Sequence, residues 1–277
     1  WQTIESLTAL DAITGVDITV APSLLGFYYM MNNKKPPFDD IHCRKAAAYG
    51  FDYESLLSLE WPGTELMIGP VPRSLGGWDP NVLTYRYDVA KAKEELAQCK
   101  YADELDKYPI TVNWPDAVPA EEKFALLFQS NMAELGMVVN IQALPLLSME
   151  ENVSSVETSP NIASFYVSSD LSEAGLMLQS RYASTTAGTW LQVEWLQDPE
   201  LDAAIQDALD TVDVDERFSK YGTLQNLIME LCPSLFMYEF PMKHAVQDYV
   251  DWKPEENSQI AGYSVWAPLI GINNSTN

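Results

Sequence analysis

The chain has 277 residues and sets 16 Lys and Arg against 40 Asp and Glu, a formal net charge of −24. At roughly 150 residues per domain this is one large domain or two modest ones, and an apolar content of 47% carries a core and excludes wholesale disorder. Thirteen Gly and 17 Pro without period exclude collagen-like classes, while the acid excess excludes a phosphate-neutralising stripe for nucleic acid or for an anionic membrane surface and predicts a soluble, self-repelling monomer.

No span reaches the ~20 apolar residues of a bilayer helix. The longest candidate, from Ile18 to Met31, contains Pro22 and stops at Asn32-Asn33-Lys34-Lys35. The first residue is Trp1, which reads as a processed or excised piece. Cys43, Cys99 and Cys232 are odd in number and widely spaced. Their reading is buried free thiols, with neither a disulfide framework nor a zinc knuckle.

In chain order, the β-branched and aromatic run 18–33 predicts one or two strands, broken at Pro36-Pro37. Asp39 or Asp40 caps a helix through Arg44 to Gly50, and a short helix follows from Asp52. Residues 61–84 read as a long ordered loop with Trp61 and Trp78 near its ends, and loops of that length are usually functional. Asp88 caps the next helix, with Val89, Ala92, Leu96 and Cys99 on one stripe. Strand 108–114, helix 119–135 ending at Gly136, and strand 137–143 predict a right-handed βαβ unit with a parallel pair. Another strand is expected at 162–168. Asp198-Pro199 starts a helix, Asp213 or Asp215 starts the next, and 235–240 is a strand. Beyond 241 the periodicity fades, as though this tail packed against something else.

The motif search finds no glycine-rich phosphate loop, no HExxH and no G-x-S-x-G elbow. Asp39, Asp40, His42 and Cys43 do not make a metal site, because Asp40, His42 and Cys43 would point different ways from one helix start. Asp210, Asp213 and Asp215 lack the central glycine of a calcium loop. Neither cofactor nor metal is expected. Asp170 and Glu173 follow the strand at 162–168. From residue chemistry alone they are solvated or capping acids, ligand-binding groups, or an acid/base pair.

The segment Asn33-Lys34-Lys35-Pro36-Pro37-Phe38-Asp39-Asp40-Ile41, with Arg44-Lys45-Ala46 and Gly50-Phe51-Asp52-Tyr53-Glu54, resembles a hallmark of the extracellular solute-binding proteins of peptide/nickel ABC importers. Gly69-Pro70-Val71-Pro72, Tyr87-Asp88-Val89-Ala90-Lys91-Ala92 and the triplet Asp213, Arg217, Tyr221 resemble further family motifs in the same order. The resemblance implies an α/β lobe with a mixed β-sheet flanked by helices, corresponding to the second of the family's two lobes. Residues 1–15 would be the interlobe entry, 16–240 the lobe, and 241–277 a tail returning toward the first lobe.

The resemblance also implies a function without bond-making. The lobe would capture a small solute such as a peptide in an interlobe cleft and deliver it to ABC permease subunits, in the periplasm or another extracytoplasmic space, free or lipid-anchored, after loss of a signal peptide. Asp170 would take the position that holds a ligand ammonium, with Glu173 as the second acid. Val167 stands where the family usually has Trp, and Ala174 where it has Pro. Oligosaccharide, opine and nickel chelate are the alternative ligands. Tyr166, Trp61, Trp78 and Trp190 are the candidate aromatic walls, each alternatively a core residue. Arg181 would pair with a ligand carboxylate or, preferably, with Glu173. A glycoside hydrolase using Asp170 and Glu173 is the enzyme alternative; three residues apart, the two acids are poorly placed to flank a sugar.

Overall fold

The computed structural model describes residues 3–169, 171–252 and 270–273. Helix α1 (Ile4–Asp11) is capped by Thr3 and leads into the long strand β1 (Val16–Met31). The Asp40 side chain accepts the first-turn amide of His42 and opens α2 (Ile41–Gly50). Asp52 does the same for α3 (Tyr53–Leu57). The following loop contains only the short β2 (Glu65–Leu66) before Asp88 caps α4 (Val89–Leu96). Then come β3 (Ile110–Pro115), α5 (Ala120–Glu134), β4 (Val139–Leu144), α6 (Leu146–Asn152), β5 (Ile162–Val167) and α7 (Ala174–Tyr182). Asp198 with Pro199 starts α8 (Pro199–Asp210), and Asp213 starts α9 (Val214–Leu231). Strand β6 (Ser234–Gln247) follows, and a small pair β7 (Val250–Asp251) and β8 (Gly271–Ile272) completes the described elements.

The main sheet has six strands in the order β2-β6-β1-β5-β3-β4. The expected parallel pair is present: β3 lies in register with β4 from Ile110 opposite Val139 to Pro115 opposite Leu144. The connecting helix α5 buries Phe124, Phe128 and Met132, and ends before Gly136 at φ +78°, a left-handed position that costs glycine nothing. The sheet is mixed because β1 runs antiparallel to both β5 and β6.

The strand expected at 235–240 is longer. β6 continues to Gln247, and its final residues from Met242 pair with Val16–Ala21 of β1. In this register β1 and β6 extend past the Gly26–Val167 end of the β1–β5 pair. Most of the tail expected beyond 241 (residues 253–269 and 274–277) lies outside the described residues, as does Trp1.

The thiol expectation is corrected. Cys43 and Cys99 are joined by a disulfide with Cα atoms 5.2 Å apart, and Cys232 alone is free and buried. Wide sequence spacing hid the pair, because α2 and α4 pack side by side and bring residue 43 of one to the chain just after the other. The same junction carries Lys100 Nζ on Asp39 Oδ2 at 2.8 Å, the Tyr101 hydroxyl on the same oxygen at 3.0 Å, and His42 Nδ1 on Glu95 Oε2 at 2.7 Å.

The hallmark segment does structural work at the end of the sheet where β1 finishes. Asn33 Nδ2 donates to the Met31 and Glu194 carbonyls, and Lys35 Nζ donates to Ser159 O at 2.6 Å. Arg44 is 6% exposed. Its guanidinium donates to Phe38 O, Leu231 O and Cys232 O at 2.6, 2.9 and 3.0 Å. It therefore satisfies the last carbonyls of α9, which have no partner inside their own helix.

Candidate functional site

Strands β3, β4 and β5 end at one rim of the sheet, where β6 emerges and β1 enters. In open α/β sheets the carboxyl ends of parallel strands face the ligand crevice. Tyr166 stands on the last turn of pleat in β5, its ring 4.7 Å from Phe27, 5.2 Å from Phe240 and 6.5 Å from Tyr238. Its hydroxyl lies 2.9 Å from the Tyr238 hydroxyl, which donates to Glu60 Oε1 at 2.9 Å. Lys243 Nζ donates to Glu60 Oε2 at 2.9 Å and sits 4.8 Å over the Phe240 ring. The Glu60 and Lys243 side chains are 8% and 6% exposed. Because Tyr238 gives its proton to Glu60, it accepts from Tyr166, and the relay runs one way to the ion pair. Burial pushes the Tyr238 phenol well above its ordinary value, which keeps that proton in place.

Beneath this relay Glu121, in the first turn of α5, is fully buried and accepts the Ser164 hydroxyl. Burial pushes its carboxyl up to about 8.

Glu173 stands just past β5 as the residue before α7. Its carboxylate is held bidentately by Arg217, Nε to Oε1 at 2.9 Å and Nη2 to Oε2 at 3.1 Å, and Tyr221 donates to Oε1 at 2.6 Å. The Arg217 bond holds the carboxyl below its ordinary value. Glycine makes this contact possible. A Cβ at Gly175 would lie 2.2 Å from the Tyr221 hydroxyl, and one at Gly77, where φ is +88°, would lie 2.5 Å from the Tyr221 ring. The 76–77 turn is itself stitched to the rim, with Gly76 N donating to Ser172 O and Ala174 N donating to Gly76 O, each at 2.9 Å.

The structure therefore corrects the preferred partner of Glu173. Arg217 and Tyr221 hold it, from α9, and Arg181 does not. Arg181 is buried at the far end of α7, where it donates to Leu191 O at 3.1 Å and lies 4.9 Å over the Trp190 ring. Trp190 shares that far end, since its loop is tied to Asn33 through Glu194 O, beside the start of β5. Tyr166, Glu173, Trp61 (next to Glu60) and Trp78 (next to Gly77) belong to rim segments. Trp78 is half-buried and donates Nε1 to Ile68 O at 3.3 Å. Asp170 lies outside the described residues, between Ser169 and Leu171.

The rim residues Glu60, Lys243, Arg73 and Glu239 escaped the sequence reading. Glu239 accepts from Arg73 N and Nε at 3.1 and 3.0 Å, and Arg73 also pairs with Glu65. No local pattern marks the Arg73–Glu239 and Glu60–Lys243 pairs, because their members are 166 and 183 positions apart. Away from the rim, Asp40, Cys43 and Cys99 bring three potential metal donors within 4.8 Å of one another. Two of them are spent on the sulfur–sulfur bond, and Asp40 already accepts the His42 and Lys100 amides.

Residues 1–189 match the family described as bacterial extracellular solute-binding proteins, family 5, middle. The chain is 25% identical over 254 residues to the probable D,D-dipeptide-binding periplasmic protein of Escherichia coli, covering 89% of this chain and 48% of that protein. It is 27% identical to a di/tripeptide-binding protein of Pseudomonas aeruginosa, covering 83% and 43%. Its fold is similar to that of a periplasmic binding protein from Helicobacter pylori solved with a peptide, with a TM-score of 0.82 at 17% identity, covering 99% of this chain and 52% of that one. The chain thus spans about half the length of the relatives it matches. With most of its length inside the family match, and with the expected helix-flanked mixed sheet in place, the chain belongs to the family 5 extracellular solute-binding proteins.

Proposed function

We propose that this chain is one lobe of the substrate-binding component of an ABC importer, and that it captures a small solute, a peptide in the first instance, in a cleft between its rim and a second lobe. The observation that carries the reading is the match to solute-binding relatives over residues 1–189. The position of the rim agrees with it: aromatic rings and the buried Glu60–Lys243 pair converge where β5 ends and the paired strands β1 and β6 run on. In this reading residues 1–15 lead in from the other lobe, and the chain beyond 240 returns to it. Asp170 holds a ligand ammonium, and Tyr166, Trp61 and Trp78 wall the cleft. Glu173 is a brace for the α7–α9 corner, since its carboxylate is committed to Arg217 and Tyr221. That commitment leaves it poorly suited to acid/base work and supports binding over catalysis. An extracytoplasmic location agrees with the Cys43–Cys99 disulfide, a bond that persists in oxidising compartments.

The test is a thermal-shift and calorimetric screen of the protein carrying both lobes against di- and tripeptides, oligosaccharides, opines and nickel–histidine. A true ligand at 100 times its Kd stabilises by about 2.7 kcal/mol. Asp170→Ala is expected to lose at least tenfold in affinity for an amine-bearing ligand at unchanged stability. Turnover of any ligand, or no stabilisation by any class, refutes the reading.

A further inference from the structure

The β1–β6 ladder breaks between Ala21 and Leu25. Ala21 faces Met242 and Leu25 faces Phe240, so Pro22, Ser23 and Leu24 stand against Pro241 alone. Neither proline has an N–H to give the ladder, so the break is written into the sequence. Ser23 turns its hydroxyl onto the Phe240 carbonyl and accepts from Leu25 N at 3.0 Å. The gap opens a recess of about 140 Å³ between the bulge, Gly63 and the Phe240–Pro241 step, walled by Glu65, Arg73 and Glu239. A cavity of roughly 150 Å³ holds a benzene-sized molecule, so the recess has room for one side-chain-sized group. Bulges of this kind are over-represented beside functional sites.

Its chemistry is one-sided. Two carboxylates and one guanidinium give the wall a net charge of −1, and each guanidinium nitrogen of Arg73 already donates: Nε to Glu239, Nη1 to Glu65 and Nη2 to Leu66 O. Pro22 and Pro241 contribute no donors, and the Ser23 hydroxyl is spent. What remains facing the space is acceptor capacity on Glu65 and Glu239. We propose that this recess is a subsite for an alkylammonium or guanidinium group, the group that a lysine or arginine side chain presents. The assignment rests on the capture reading for how that group arrives; the chemistry comes from the recess.

The test titrates the isotope-labelled 277-residue chain separately with n-butylammonium, n-butyrate and n-butanol, following the backbone amides of Ser23, Glu239 and Phe240 by NMR. Saturable shifts with n-butylammonium and none with n-butyrate at equal concentration are expected. Glu65→Gln, at an exposed position, is expected to weaken that binding roughly two- to fivefold, the range an exposed charge supports. The Glu65→Gln, Glu239→Gln double variant leaves the Arg73 charge and reverses the preference toward n-butyrate. Equal response to all three probes, no saturation, or a wild-type preference for n-butyrate overturns the subsite. Ala-Lys-Ala and Ala-Ala-Ala, titrated into the protein carrying both lobes, separate the two readings. Saturable n-butylammonium binding with neither peptide bound refutes capture and leaves the subsite standing. Peptide binding without n-butylammonium saturation refutes the subsite alone.

Discussion

Reducing the Cys43–Cys99 disulfide, or replacing both residues by Ala, is expected to destabilise the chain without changing its folded structure. The bond closes a loop of sequence separation 56. In the chain-entropy account, opening such a loop releases about 4 kcal/mol of unfolded-state entropy at 25 °C. The folded junction keeps its other ties, Lys100 and Tyr101 on Asp39, Asp40 on the Lys100 amide, and His42 on Glu95, so the cost falls on the unfolded side. Urea unfolding with and without a non-thiol reductant reads it directly. With an m-value of about 3 kcal/mol/M, the midpoint drops by roughly 1 M. The wild-type spectrum is expected to persist in the reduced folded state. Alkylation in denaturant without reductant is expected to label Cys232 alone. Three labelled cysteines, or coincident oxidised and reduced midpoints, would refute the reasoning.

Buried acids set an unusual pH profile. Glu194, 1% exposed with Ser234 donating to it at 2.6 Å, has its carboxyl pushed by burial from 4.5 up to about 7. The native state therefore holds more protons than the unfolded chain between pH 4.5 and 7, so stability falls as pH rises through that window. Glu194→Gln is expected to recover about 3 kcal/mol at pH 8 and little at pH 4, read from urea midpoints across pH; Glu121→Gln extends the same effect toward pH 8. Arg44→Met strips three carbonyls of their donor and is expected to cost about 3 kcal/mol, measured by calorimetric Tm, with amide exchange quickening first at the end of α9. Lys243→Met leaves Glu60 buried and unpaired and is expected to cost about 3–5 kcal/mol, whereas adding Glu60→Gln returns a large part of it. A double-mutant cycle with no recovery would place the cost in packing instead of charge.

The helix starts were legible because they are local. Asp40, Asp52, Asp88, Asp198 and Asp213 each meet a backbone amide two or three residues on, and that spacing is visible in a string of letters. The βαβ unit was legible for the same reason, since α5 and its two strands are contiguous. Helix α6 was missed: its seven residues bury only Met149 and leave Leu147 exposed, so no apolar stripe announced it. The hallmark around Asn33–Asp52 identified the family, yet its residues clamp the end of the sheet away from the rim. Motif strength there reports architecture, while ligand chemistry sits elsewhere. The rim was only half readable. Tyr166 and Glu173 follow a visible strand, but Arg217, Lys243 and Arg73 reach their carboxylates through chain reversals that periodicity does not encode. Arg181 was the nearer cation in sequence, and α7 carries it two turns away in space.

Among the described residues, Val16–Ala21 and Met242–Gln247 are flanked by no third strand, so that stretch is a two-stranded antiparallel ribbon, with α1 packed against it, growing out of a six-stranded plate. Two-stranded ribbons coil more strongly and resist torsion less than wide sheets. Twisting load on the molecule is therefore expected to concentrate there, leaving the plate rigid. Deuterium uptake should register the contrast as two rate classes along one continuous strand, rapid from Val16 to Ala21 and slow from Phe27 to Met31.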